Sequence, residues 1–312
     1  MSNLFIKDKD INTSKSPFAK YEGEVKKFDG RDSGIRIDHI MMKVKKEYVF
    51  GVDFDIIETI YKLHYSTSRM ITQYLNLKGI NIEQGKVQKR LNFLNRLTII
   101  SRYKVVNEES STNTRIYCLE YMGKRLLQSR DVECQWKQTD STLSLSMMKK
   151  ILSRNQVLLT YRSRLNNIIE YKTDFENYKF KPDLEISLGN DGKVEEIIWF
   201  LVLRSYDGWK EDAENKIRKF KGFIDYFKQE VAVPIKPTFV VVGEDDKHLF
   251  EIFKIALINK LQPKDQSIKY TSDLRVIGND LNKSLIEFAL EKQGGKYKPK
   301  LKELNFTLLK EQ

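Results

Sequence analysis

The side chains best suited to chemistry fall within one stretch, Ile82 to Leu127. Lys89, Asn92 and Arg96, with Gly85 before them, point away from Val87, Leu91 and Leu94, which recur at i, i+4 and i+7. Lys86 and Gln88 complete the polar set. Amides and cations with almost no acid among them are the groups that hydrogen-bond base edges and neutralise phosphates, so the chemistry expected is non-covalent recognition of double-stranded DNA. Arg102, Lys104 and Arg115 follow on extended segments and are expected beside the phosphate backbone. A solvated surface helix or a protein-binding face would carry Lys89 and Arg96 equally well.

Other chemistries find little footing. Cys118 and Cys134 form no CxxC pair, and His39, His64 and His248 show no HxH, HxxxH or HxxE spacing, so no zinc site is expected. There is no GxxxxGK[ST], no GxGxxG after a strand and no HxH cluster, which argues against an ATPase, a dinucleotide enzyme and a self-sufficient relaxase.

Composition sets the bounds. A chain of 312 residues is long enough for two cores, and 40% hydrophobic residues with 11% aromatics excludes wholesale disorder. Fifty-five Lys and Arg against 43 Asp and Glu give a formal charge of +12, which favours a polyanionic partner through counterion release. Two cysteines outside any framework fit a reducing cytoplasm. No apolar run of about eighteen residues and no signal-peptide core is present, so neither a membrane span nor export is expected.

The elements that would position the polar set can be read around it. Phe54, Ile57, Ile60, Tyr61 and Leu63 mark one amphipathic helix and Met70, Ile71, Tyr74 and Leu75 another, with Ser66, Thr67 and Ser68 offering N-caps between them. Ile99 to Val106 and Thr114 to Leu119 are β-branched and aromatic runs either side of the turn-rich residues 107–113, a hairpin. Three helices and a hairpin make a winged helix-turn-helix over residues 51–130. The run Arg115 to Leu127 resembles the wing exit of many bacterial winged-helix regulators, with Tyr117-Cys118-Leu119 as the strand and Gly123 four residues before Leu127. Residues 1–50, few of them large and apolar, read as a flexible basic arm in which Lys43, Lys45 and Lys46 could touch phosphates. Residues 35–50 fit either an edge strand or a short helix. A polar linker is expected over 131–146.

A second pattern covers residues 147–292, an α/β domain. Leu145 to Leu165 has helical spacing, Ile168 to Lys172 and Phe180 to Leu188 read as strands, Gly189 to Gly192 as a hairpin turn, and Glu196 to Leu203 as a central strand buried on both faces. Ala213, Ile217, Phe220, Ile224 and Phe227 are spaced 4, 3, 4 and 3 apart, a helix laying one stripe on a sheet with Phe223 off it. Thr238 to Val242, Leu249 to Leu261 and Leu274 to Ile277 add a strand, a helix and a last short strand. Residues 293–312 read as a Lys-rich tail, with Phe306, Leu308 and Leu309 able to dock.

This order of elements resembles the core of restriction-endonuclease-like folds and, more narrowly, the replication-relaxation family of plasmids, conjugative elements and phages, in which a winged helix precedes such a domain. The residues that carry the likeness are Pro182-Asp183, the strand Trp199 to Arg204 and Lys216-Ile-Arg-Lys-Phe220. The resemblance implies an α+β protein whose second domain has a mixed sheet like that of PD-(D/E)xK nucleases. Its nuclease-site counterparts would be Asp183, Val202 and Arg204. Valine offers Mg²⁺ no lone pair, so no catalytic residue and no metal are expected, and Arg204 can still pair with Asp183, which would turn a former active site into a structural ion pair. The alternative is a Mg²⁺-dependent nuclease that recruits Glu170, Glu185 or Asp207 beside Asp183. The acids near strand ends, Glu195, Glu196, Glu211 and Asp212, read as solvated or as helix N-terminal charges. The function implied is that of a homodimeric, sequence-specific DNA-binding regulator of transcription, replication or transfer on a mobile element. Its second domain would serve dimerisation or contact with a replication or transfer protein. A third reading is an adaptor whose winged helix binds protein.

Overall fold

The computed structural model describes residues 16–30, 35–107, 110–173, 180–229, 235–260, 268–278, 281–293 and 296–304. It is a mixed α+β structure in two units, one of residues 20–155 and one of residues 156–312 with 1–19.

The first unit runs β1 (Glu24–Phe28), α1 (Ile37–Lys45), α2 (Gly51–Leu63), β2 (Tyr65–Ser66), α3 (Ser68–Leu77), α4 (Gln84–Arg96), β3 (Ile100–Asn107), β4 (Ser110–Leu119) and α5 (Tyr121–Gln128). Local chemistry sets the helix starts. Asp53 accepts from the Phe50 N–H at 3.0 Å at the head of α2, and Thr67 caps α3 by accepting from the Met70 N–H at 3.3 Å. Ile56, Ile57 and Ile60 of α2, Ile71 and Leu75 of α3, and Val87, Leu91 and Leu94 of α4 are all fully buried in one core. Against them lies an antiparallel sheet in the order β1-β3-β4-β2. Gly123 is required where α5 crosses it, since a Cβ there would stand 2.5 Å from the Ile99 carbonyl oxygen.

Two expectations fail here. The supposed flexible arm contains β1, paired over its whole length with β3, and α1, whose Ile40 is fully buried. The supposed linker over 131–146 is packed, with Cys134 and Trp136 in the core, and Ser141 and Asp140 offering carbonyls to the hydroxyls of Tyr103 and Tyr65. Its polar side chains masked backbone groups that these buried tyrosines need as partners. The division between units falls instead within α6 (Leu145–Arg164).

The second unit continues β5 (Ile168–Lys172), β6 (Leu184–Asn190), β7 (Lys193–Val202), α7 (Trp209–Gln229), β8 (Thr238–Gly243), α8 (Asp246–Ile258), β9 (Lys269–Ser272), α9 (Asp273–Gly278), α10 (Leu281–Ser284), β10 (Ile286–Gln293) and β11 (Lys296–Glu303). Its sheet has the order β11-β10-β9-β8-β7-β6-β5, with β7, β8 and β9 parallel and the flanks antiparallel. Asp191 and Gly192 both take positive φ, 50° and 74°, in the tight turn between β6 and β7. Trp199, Leu201 and Leu203 face α7 and α8, while Phe200 on the opposite face meets Tyr161 of α6 with ring centroids 5.2 Å apart.

The sequence misplaces three features. Leu274 to Ile277 belongs to a helix, because the Ser272 hydroxyl accepts from the Arg275 N–H at 3.4 Å and turns the chain. Phe223 is buried beside Phe180 and Trp199, so α7 presents a broader apolar face than one stripe. The supposed tail from residue 293 instead supplies the whole of a strand, β11, paired with β10. The side chains of Ile224 and Phe227 lie outside the described residues, as do Phe306, Leu308 and Leu309.

Candidate nucleic-acid interface

Helix α4 is fixed from three sides. Its apolar face enters the core, and its first two turns are joined to α3 by Gln84 and Gln88, whose amides donate to the Ser68 hydroxyl at 3.1 and 3.3 Å. Arg90 donates to both carboxylate oxygens of Asp53 at 2.7 and 2.6 Å, between the rings of Phe50 and Phe93. These contacts leave Lys86, Gln88, Lys89 and Arg96 exposed, and α4 contains no acid.

Asn92 and Arg102 sit differently from expectation. Arg102 does not stand open beside a backbone: its Nη1 donates to Asn92 Oδ1 at 2.6 Å and its Nε to the Asp29 carboxylate at 2.9 Å. Arginine only donates, so the amide oxygen of Asn92 must face it, which leaves Asn92 Nδ2 as the group turned outward. Asp29 also ties the sheet to the helix, its carbonyl accepting from Asn95 Nδ2 at 3.3 Å and its N–H donating to the Arg102 carbonyl at 2.8 Å. Lys104 and Arg115 are direct cross-strand partners, and Lys104 lies on the face of β3 that carries Arg102. The structure thus gathers Lys86, Lys89, Asn92, Arg96, Arg102, Lys104 and Arg115 on α4 and the sheet face joined to it. Sequence reading missed Asp29 and took Ser68 only for a candidate N-cap. Asp29 is 73 residues from its partner Arg102, and only the short alternation of residues 24–28 hinted at a strand leading to it.

Of the three nuclease-site counterparts, Asp183 meets the backbone of Val202 while Arg204 pairs elsewhere. Val202 and Val242 and Thr271 are in register on β7, β8 and β9, so two residues further on Arg204, Glu244 and Asp273 stand side by side. Arg204 is 4% exposed and its Nη2 pairs with Asp273 Oδ1 at 2.9 Å, while the Ser16 hydroxyl donates to the other oxygen. Asp183 lies on the antiparallel side of β7 and accepts from the Val202 N–H at 2.8 Å, and the carboxylate that Arg204 pairs with is that of Asp273.

Burial pushes the Glu244 carboxyl above its usual range, opposed by hydrogen bonds from the Ser205 hydroxyl and N–H. His248 is driven down to about 4 by burial and by the Arg204 charge. Its Nδ1 accepts from the Glu244 N–H at 3.2 Å, which puts the proton of the neutral ring on Nε2. Glu185 accepts from Trp199 Nε1 at 2.7 Å and Lys172 pairs with Glu170 at 3.1 Å, which occupies two of the acids a metal would recruit. Asp207 is exposed. Among the described residues no three His, Cys, Asp or Glu side chains gather in a metal-binding group, and no helix is long and apolar enough to cross a membrane.

Comparison of the chain with protein families, with characterised proteins and with solved structures yields no match.

Proposed function

We propose that residues 20–155 are a winged helix-turn-helix that binds double-stranded DNA sequence-specifically, with α4 as the recognition helix and β3–β4 as the wing. The observation that carries this reading is the acid-free exposed face of α4, joined through Asn92 and Arg102 to the face that bears Lys104. Cations and amides held on a rigid helix suit a major groove, and the sheet cations suit the flanking phosphates. Asn92 Nδ2, turned outward by Arg102, is a donor for a base-edge acceptor. The second unit is a nuclease-like domain without catalysis, used for dimerisation or partner contact. The protein regulates transcription, replication or transfer on a plasmid, conjugative element or phage.

Immunoprecipitation of bound DNA followed by sequencing should return a defined site. On that site Asn92→Ala should relax preference at one position by about 1–3 kcal/mol, and Lys104→Ala should weaken all duplexes alike. If neither substitution changes binding at low salt, the assignment of α4 is wrong. Plasmid incubated with Mg²⁺ or Mn²⁺ should stay intact; nicking that vanishes in Asp183→Ala would replace this reading of the second unit by a nuclease.

A further inference from the structure

Strand β1 adds a third strand to the hairpin, and its register places Lys27 directly opposite Lys104, which is itself directly opposite Arg115. Three cations therefore lie in one lateral row on one sheet face. Neighbouring strands are about 4.8 Å apart, so the row spans about 10 Å. Like charges directly opposite across a sheet are destabilising, and a folded chain ordinarily breaks such a row with an acid. The only acid on this face among the described residues of the three strands and the turn after β1 is Asp29, and Arg102 holds its carboxylate. Lys27 and Arg115 are exposed and Lys104 half-buried, and none makes an ion pair among the described residues. The adjacent Lys26 shows the contrast: it points to the other face, donates to the Leu143 carbonyl at 2.7 Å and lies over the Tyr103 ring.

We infer that Lys27, Lys104 and Arg115 form a rail for the phosphates of one strand of duplex DNA, with Lys27 contributing a contact from outside the β3–β4 hairpin. This rests on the reading of the first unit as a DNA-binding module. The row, about 10 Å long, is long enough to meet neighbouring phosphates of one strand, and an anionic backbone removes the repulsion that the row carries in its absence. The rail is sequence-independent, so its signature is salt dependence and not base preference.

The full chain is titrated with a random-sequence 30-base-pair duplex by fluorescence anisotropy across a range of KCl concentrations. Each phosphate contact contributes about 0.9 to the slope of log affinity against log salt, so Lys27→Gln should flatten the slope by about 0.9. Between 50 and 200 mM salt the variant should then lose about 3.5-fold less affinity than the wild type. Lys27→Arg should keep the wild-type slope, and the DNA-free Lys27→Gln protein should melt no lower than wild type at low salt. An unchanged slope in Lys27→Gln, with Lys89→Gln flattened, overturns the rail and leaves the DNA-binding reading standing. A Lys27→Arg slope as flat as that of Lys27→Gln also overturns it, since charge would not be the cause. No salt-dependent binding by the wild type would remove both.

Discussion

Arg90→Met tests how rigidly α4 is presented. The guanidinium makes two short hydrogen bonds to Asp53, at 2.7 and 2.6 Å, and the Asp53 side chain is 0% exposed while that of Arg90 is 25%. Methionine keeps an unbranched stem between Phe50 and Phe93 but strands a buried carboxylate that also closes the first turn of α2. Removing one partner of a buried pair costs about 3–5 kcal/mol. Water can reach the open side of Arg90, so the lower figure applies, and about 3 kcal/mol is more than a hundredfold in an opening equilibrium. Native-state hydrogen exchange of α2 and α4 amides reads that equilibrium directly. Combining Arg90→Met with Asp53→Asn, which keeps an acceptor for the Phe50 N–H, should recover at least about 1 kcal/mol of the summed single losses. Strict additivity, or a single variant within about 0.5 kcal/mol of wild type, would refute the account of Arg90 as a structural anchor.

Phe220→Ala should cost about 3–5 kcal/mol in a thermal or urea melt, because Phe220 is 2% exposed between Phe180 and Phe239 and borders an existing cavity of about 10 Å³. Lys149→Met should cost about 3 kcal/mol, since Glu24, 8% exposed at its side chain, loses the cation that pairs with it at the head of β1. His248 takes a proton near 6.5 when unfolded and near 4 when folded, so its contribution is fully present above about pH 6.5 and lost as pH falls toward 4. Glu244 acts with the opposite sign, its raised carboxyl weakening the fold as pH rises past 4.5, so the difference between wild type and His248→Asn isolates the histidine, at about 3 kcal/mol of acid-limb loss absent from the variant.

The elements that sequence periodicity reads well are those whose burial is decided locally. Val87, Leu91 and Leu94 lie on one turn-spaced face, and Ile198 to Val202 is apolar enough to need cover on both sides, so neither depends on a distant partner to be recognised. The strand Glu24 to Phe28 has one strongly apolar residue on each face, Val25 and Phe28, and both are exposed; it is a strand because its backbone pairs with residues about 80 positions away. The same limit hid the electrostatics. Asp273 is 69 residues from Arg204, whereas Asp183 is nearer in sequence and stood where a family resemblance put it. Strand order, not spacing, decided which carboxylate the arginine met.

Strand order also determines what the formal charge of +12 means. Arg90, Arg102, Lys149 and Arg204 are basic residues already committed to carboxylates inside the fold, and removing salt or adding a polyanion changes little for them. Lys27, Lys86, Lys89, Lys104 and Arg115 have no such partner among the described residues, and only cations of this kind hold counterions that DNA can release. All five belong to the first unit. Arg102 joins the two classes: its pairing with Asp29 and Asn92 neutralises the one acid of that sheet face among the described residues of the three strands and the turn after β1, and orients the amide of α4 together. Substituting it should therefore disturb base preference and the sheet face together, whereas substituting a cation of the outer row should disturb only the salt dependence.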